Sequence, residues 1–415
     1  MPSIPPEVEQ HILLQHLESR TALRSCSLVC SRFGYWAQSR LFESIVVSFR
    51  QRGDFPNPWI GRMRRLAGVL EASPHLALFV RRVKVWETTA DVLAIIATMS
   101  LPNLHTLKLR GILRSDGSDV IQSFRRIVWG SSLRNLQLDF EPSSGNASYF
   151  SAFAAVLPFS LVSLNISRCM ETSVDPWDAA VLPCARLRPY SPTIQRLRLH
   201  FCPEAIALLN SPACPIDLGS VKHLDYCHSA YPELSLLLRR LGRTVDSITF
   251  RPAGPGGMIP LCPLLARIHP LSDTSLSNFD FHMLPGLVHI DCWLTEELIL
   301  DVIERLPVAN RIRSLRVGTS HPRWQDPSVA PDLDDQDMEQ LGSDFEDAVL
   351  RRLPDLTTIM LEVTIIPDVG EPNHPVFDAT SVAAAIRKSM PRLSSKPIFS
   401  LGLVHDKYFR AQQRI

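Results

Sequence analysis

Nine cysteines and thirteen histidines are the residues of this 415-residue chain best suited to attack a substrate or hold a metal. Cys26 and Cys30 stand four apart, on one face of a helix, but no histidine pair lies at zinc spacing, and small buried hydrophobes account for them better. His200 with Cys202, His223 with Cys227 and His228, and His289 with Cys292 come nearest to a ligand cluster. Alternation along a strand sends several of these to opposite faces, so no metal site is expected. A nucleophilic thiolate needs a positioned base, and no local signature supplies one.

The search for anion chemistry is equally bare. No phosphate loop, Gly-x-Gly-x-x-Gly or Gly-x-Ser-x-Gly occurs, and Gly254-Pro255-Gly256-Gly257 lacks the Lys and Ser/Thr that would grip a phosphate, so it reads as a turn. Arg50, Arg52, Arg62, Arg64, Arg65, Arg81, Arg82 and Lys84 form a basic region, but without regularly spaced aromatics it reads as a solvated face. Catalysis is the weaker class. Neither a cofactor nor nucleic acid is expected, and an enzyme with an unrecognised site is the remote alternative.

Composition agrees. A hydrophobic share of 45% with 20% charged residues suits a chain that buries a sizeable core, and 43 basic against 42 acidic residues give no global pull toward polyanions. No apolar run reaches membrane-spanning length, and MPSIPPEVEQ lacks the basic and apolar regions of a signal peptide. Neither secretion nor a membrane is expected. An odd number of cysteines without a Cys-x-x-Cys pair points to a reducing compartment, cytoplasmic or nuclear.

The elements that would position any site follow one template: apolar, two residues, apolar, one residue, apolar. It recurs as Val80/Val83/Val85, Leu104/Leu107/Leu109, Leu133/Leu136/Leu138, Leu161/Leu164/Ile166, Ile194/Leu197/Leu199, Val221/Leu224/Tyr226, Val245/Ile248/Phe250, Leu287/Ile290/Cys292, Ile312/Leu315/Val317 and Leu356/Ile359/Leu361. Most copies are 24 to 33 residues apart, the leucine-rich-repeat range, with longer gaps before Leu287 and Leu356. The last two apolar positions share one strand face, and stacked strands would bury that face continuously. Three residues further on, Thr88, Cys169, Cys202, Ser229, Thr295, Ser320 and Thr364 offer side chains that could bond the turning backbone. A competing copy, Leu276/Phe279/Phe281, overlaps the next strand and is set aside.

Helical stretches lie between: Ala90 to Met99, Asp119 to Trp129, Tyr149 to Leu157, Pro203 to Leu209, Pro232 to Leu241, Glu296 to Leu306, Phe345 to Leu353 and Val382 to Lys388. Strand and helix in alternation give an α/β fold with parallel strands inside and helices outside. The acidic run Asp332 to Glu339 reads as a solvated loop or helix start.

The N-terminal stretch Ile4 to Phe42 differs. Pro5, Pro6 and Glu7 suit a helix start, Val8/Ile12 and Leu13/Leu17 form an apolar stripe, and two further short helices follow, Ala22 to Val29 behind Thr21 and Phe33 to Leu41. Three short helices make a small core and are more comfortable when bound to something else.

The words Ile4-Pro5-Pro6-Glu7-Val8, Ile12-Leu13 and Leu28-Val29-Cys30-Ser31-Arg32-Phe33 resemble an F-box, and Ser73 to Ala77 with Val80 to Val85 resemble the entry to the repeats of F-box proteins abundant in mushroom-forming fungi. The resemblance implies an F-box at 1–48, a linker and helix at 49–78, an irregular leucine-rich-repeat solenoid at 79–366 with an acidic insertion near 326–347, and a cap at 367–415. It implies a non-catalytic substrate-recognition subunit of a Skp-cullin-F-box ubiquitin ligase, with a Skp adaptor and a cullin scaffold as partners. Ile4, Pro5, Pro6, Val8, Ile12, Leu13, Leu17, Leu28, Val29 and Phe33 would meet the adaptor. The alternative is a binding scaffold without ubiquitin transfer. A protein target would lie against strand residues that alternate away from the core: Trp86, Arg110, Arg196, Arg198, His200, Arg251, Trp293 and Arg316, with His223 and His289 beside them.

Overall fold

The computed structural model describes residues 5, 7–8, 11, 19–48, 58–112, 118–140, 150, 152–168, 191–200, 202–212, 214–227, 234–251, 279–293, 296–319, 335–365 and 379–405. They belong to two compact units, residues 1–218 and 219–415.

In the first unit, helices α1 (Arg20–Cys26) and α2 (Ser31–Phe42) lead into strand β1 (Ser44–Val47). Helices α3 (Pro58–Ala72) and α4 (Pro74–Ala77) precede β2 (Arg82–Trp86), and α5 (Ala90–Thr98), β3 (Thr106–Ile112), α6 (Ser118–Trp129), β4 (Asn135–Phe140), β5 (Ser163–Ser167), β6 (Arg196–His200) and α7 (Pro203–Asn210) follow. Strands β1 to β6 pair in chain order, all parallel. The second unit carries β7 (His223–Cys227), α8 (Leu234–Leu241), β8 (Ser247–Arg251), β9 (His289–Trp293), α9 (Glu296–Glu304), β10 (Ser314–Thr319), α10 (Asp335–Arg352), β11 (Thr358–Ile365), α11 (Ala379–Ser389), α12 (Pro391–Ser394) and β12 (Phe399–His405). Its strands also pair in parallel and in order. The fold is α/β with parallel sheets, as the alternating pattern requires.

Each of the ten template copies forms its strand, and every template residue except the half-buried Leu356 is buried. The register aligns the copies: Val83 pairs with Leu107, Leu107 with Leu136, Leu136 with Leu164 and Leu164 with Leu197. A β-strand buries alternate residues, so this register makes continuous apolar rows under the helices. Phe124 of α6 stands edge-on to Phe153 at 4.4 Å, and Phe153 in turn meets Phe140 of β4. In the second unit Phe279 and Phe281 pack on Phe250 at 5.0 and 6.0 Å, and Phe281–Met283 is a 3-10 turn rather than a strand.

Two strands lie outside the ten. β1 and β12 extend the two sheets through pairings such as Ile45 with Val83 and Leu361 with Leu401. Of the two readings of the acidic stretch, its described part takes the helix start: α10 begins at Asp335, well before the expected Phe345, with acids at the end where the helix dipole favours negative charge.

Strand ends turn by a device the template does not contain. Glu87 and Arg168, and Gly111, take left-handed φ values of 60°, 58° and 59°, each directly after the strand position that follows the last template residue. Thr88, buried behind Glu87, donates its backbone N–H to the carbonyls of Arg110 and Gly111, both at 3.0 Å, and its hydroxyl to that of Arg110 at 3.1 Å. Cys202 has the same kind of role, its thiol directed at the Ile166 carbonyl. Thr364 does not, because β11 continues through it, and Cys169, Ser229, Thr295 and Ser320 lie outside the described residues.

Two glycines separate tight from open packing. A Cβ on Gly242, at the end of α8, would stand 1.9 Å from the Met283 carbonyl oxygen, whereas one on Gly68, exposed within α3, would meet nothing within 4 Å. Gly242→Ala should therefore destabilise the protein by about 2–3 kcal/mol through overpacking, and Gly68→Ala should stabilise it by about 0.5–1 kcal/mol through helix propensity. Urea denaturation of the two variants checks both signs.

Candidate functional site

Two surfaces are available for function: the N-terminal helices and the sheet face opposite the helices. In the first, α1 starts at Arg20, with Ser19 as its cap accepting the Ala22 N–H at 3.5 Å, and it stops at Cys26. The helix thus begins and ends earlier than the expected Ala22 to Val29, and Thr21 lies inside it. Leu23 and Ala37 are buried between α1 and α2, where a Cβ on Gly34 would press on the Ser27 carbonyl at 3.2 Å.

The turn between these helices is apolar and open. Leu28 is 87% exposed and Val29 66%, and upstream Val8 is 46% exposed. Pro5 is exposed and Phe33 half-buried, while Ile4, Pro6, Ile12, Leu13 and Leu17 lie outside the described residues.

This segment is fastened to the sheet. Tyr35 of α2 stands edge-on to Phe79 just before β2, at 5.1 Å. Glu43, between α2 and β1, accepts from Arg40 at 2.7 Å and from Arg82 of β2, and its carbonyl receives the N–H groups of Arg81 and Arg82 at 3.0 Å. Partial burial works against the Glu43 carboxylate, but the hydrogen bonds and charges of Arg82 and Arg40 prevail and hold its pKa below the ordinary carboxylate value.

On the open face of the first unit, register decides which candidates meet. Trp86 pairs with Arg110, whose guanidinium lies 4.3 Å from the indole centre, and the Lys84 ammonium approaches the same ring to 4.3 Å. Next in the row is Asp139, buried, 2.7 Å from Arg168 Nε and 3.8 Å from Arg110 Nε. Arg196, Arg198 and His200 occupy alternate positions of β6, Arg196 exposed and the other two half-buried. In the second unit Arg316 donates to the buried Glu362 at 2.7 Å. That bond raises the Arg316 pKa against the opposing effect of burial, and the charges of Glu362 and Asp291 add to it. His223 Nδ1 lies 2.9 Å from Ser247 Oγ, His289 starts β9, and Arg251 and Trp293 end β8 and β9.

Lys108, Asp139 and Glu362 were not among the sequence candidates, and Lys84 was read only as part of a solvated basic face. Their signal was available, since each alternates with a template residue, but aromatics and arginines drew attention first.

Among the described residues no three His, Cys, Asp or Glu side chains gather as metal ligands. The Cys292 thiol is fully buried, and burial with the neighbouring Asp291 charge pushes its pKa well above the thiol range, so it holds little thiolate. No described helix is long and apolar enough to cross a membrane. Compared with models of known families and with curated proteins, the sequence matches none.

The Glu43 bridge predicts a pH signature. A carboxylate with a lowered folded pKa stabilises above its unfolded pKa, and that contribution disappears as pH falls through the folded value. The stability difference between wild type and Glu43→Gln, measured by urea titration, should be up to about 1 kcal/mol at pH 7 and shrink as the pH falls below the ordinary carboxylate range.

Proposed function

We propose that this protein is a substrate-recognition subunit of a Skp-cullin-F-box ubiquitin ligase. The N-terminal segment docks on the Skp adaptor, and the open sheet face holds a target protein. The observation that carries the reading is the outward exposure of Leu28 and Val29 on a segment otherwise anchored through Tyr35 and Glu43. Adjacent bare aliphatic side chains, at positions the F-box resemblance assigns to the adaptor, are the chemistry of a docking turn. Cys26, Cys30 and Cys292, which form no disulfide, suit a reducing compartment, the cytoplasm or nucleus.

The subunit works by proximity. Fixing a target beside a carrier of activated ubiquitin raises the effective concentration of its lysines and requires no catalytic residue from this chain. The buried, protonated Cys292 accords with that division of labour.

Leu28→Asp/Val29→Asp should reduce adaptor pull-down at least tenfold while leaving the thermal unfolding midpoint unchanged, because both side chains are exposed. Ile12→Asp/Leu13→Asp should abolish pull-down as well. Undiminished pull-down by both variants would refute the docking assignment. Cullin co-precipitating with the wild type separates a ligase subunit from an F-box scaffold without ubiquitin transfer.

A further inference from the structure

Lys84 of β2, Lys108 of β3, Gln137 of β4, Asn165 of β5 and Arg198 of β6 are partners in register, one per strand, across the open face of the first unit. All five are half-buried, and all carry hydrogen-bond donors. At one end the row is strongly cationic: Lys84 and Lys108 are direct cross-strand neighbours, and Arg110 is one pleat along. Like charges opposite each other weaken a sheet. Lys84 feels them, since burial first and then the charges of Arg110 and Lys108 lower its pKa.

Asp139 is shared unequally: it lies 2.7 Å from Arg168 Nε and 3.8 Å from Arg110 Nε, an ion pair too long for a hydrogen bond. Glu43 serves Arg82 and Arg40 at the far edge. The corresponding positions of the second unit differ in kind, with buried Asp225 and Thr249, then Asp291 and Arg316. Among the described residues, lysines side by side on adjacent strands with Trp86 next to them are a feature of the first unit.

We infer that this row receives an anionic peptide segment of the target, lying across the strands with carboxylate or phosphate groups on Lys84, Lys108 and Arg110 and its remaining polar groups on Gln137, Asn165 and Arg198. Five strands at about 4.8 Å spacing span about 19 Å, the length of about six extended residues. Backbone and side-chain oxygens find donors along the whole span, and the indole of Trp86 flanks the cationic end. The inference rests on the target-binding role proposed above and specifies its chemistry.

Fluorescence polarisation of labelled eight-residue peptides against the full chain tests it, with an Asp/Ser peptide, its phosphoserine form and an Asn/Ser control. The two anionic peptides should bind and the control should not, with affinity falling at least tenfold between 50 and 500 mM salt. Whichever binds tighter identifies the anion. Lys84→Glu/Lys108→Glu should weaken binding at least tenfold, and the milder Lys108→Gln should weaken it about threefold without lowering stability, since it removes a like-charge neighbour. Equal binding of the neutral control, unchanged affinity in the charge-reversed variant, no binding by either anionic peptide, or displacement by single-stranded RNA at lower concentration would each overturn the inference. Adaptor pull-down on the same preparations keeps the two readings apart: peptide binding without adaptor capture sinks the ligase reading alone, and adaptor capture without peptide binding sinks only the anionic row.

Discussion

In-register parallel pairing is the constraint on which everything else depends. Once Val83 lies beside Leu107 and Leu107 beside Leu136, every other position of one strand falls beside its counterpart in the next. A slip by one residue would turn each aliphatic row into solvent and each polar row into the core. The hydrophobic effect thus fixes the polar face indirectly: Lys84, Lys108 and Gln137 are neighbours because the residues between them must be buried together. The layout of side chains on the open face is a by-product of packing on the closed one.

The N-terminal helices stand in a different relation to this sheet. They bury Leu23 and Ala37 between themselves, a small core for so short a segment, and depend on Tyr35 and Glu43 to hold them against the strand layer. This division lets the segment keep Leu28 and Val29 bare without losing its fold, since the residues that anchor it are not the ones that it displays.

Much of this was legible because burial leaves a periodic trace. The ten strands and most helices could be read directly, as could the open-face positions of Trp86, Arg110 and Arg316. β1 was legible, for Ser44 to Phe49 reads as a strand and Phe42, Ile45 and Val47 repeat the template spacing, although its place in the sheet does not follow from the ten copies. β12 hides better: Phe399, Leu401 and Leu403 alternate, but the in-register position before them is Lys396, so the template breaks. The left-handed residues were legible only in part. Glycine announces such a backbone at 111, whereas Glu87 and Arg168 are held there by partners distant in sequence. Nor does local pattern reveal which cations find an acid. Arg316 reaches Glu362 across 46 positions, and Lys84 faces Lys108 instead.

Those left-handed ends also bear on how the chain emerges during synthesis. Placing Glu87 or Arg168 at positive φ costs about 1–2 kcal/mol, and the bonds that hold each one reach the strand that comes next: Thr88 N–H to the β3 carbonyls, Arg168 N–H to His200 at the end of β6. A strand leaving the ribosome therefore cannot lock its own terminus until its successor has been translated and laid alongside. A chain cut directly after β2 or after β5 would present a strand whose exit lacks those bonds.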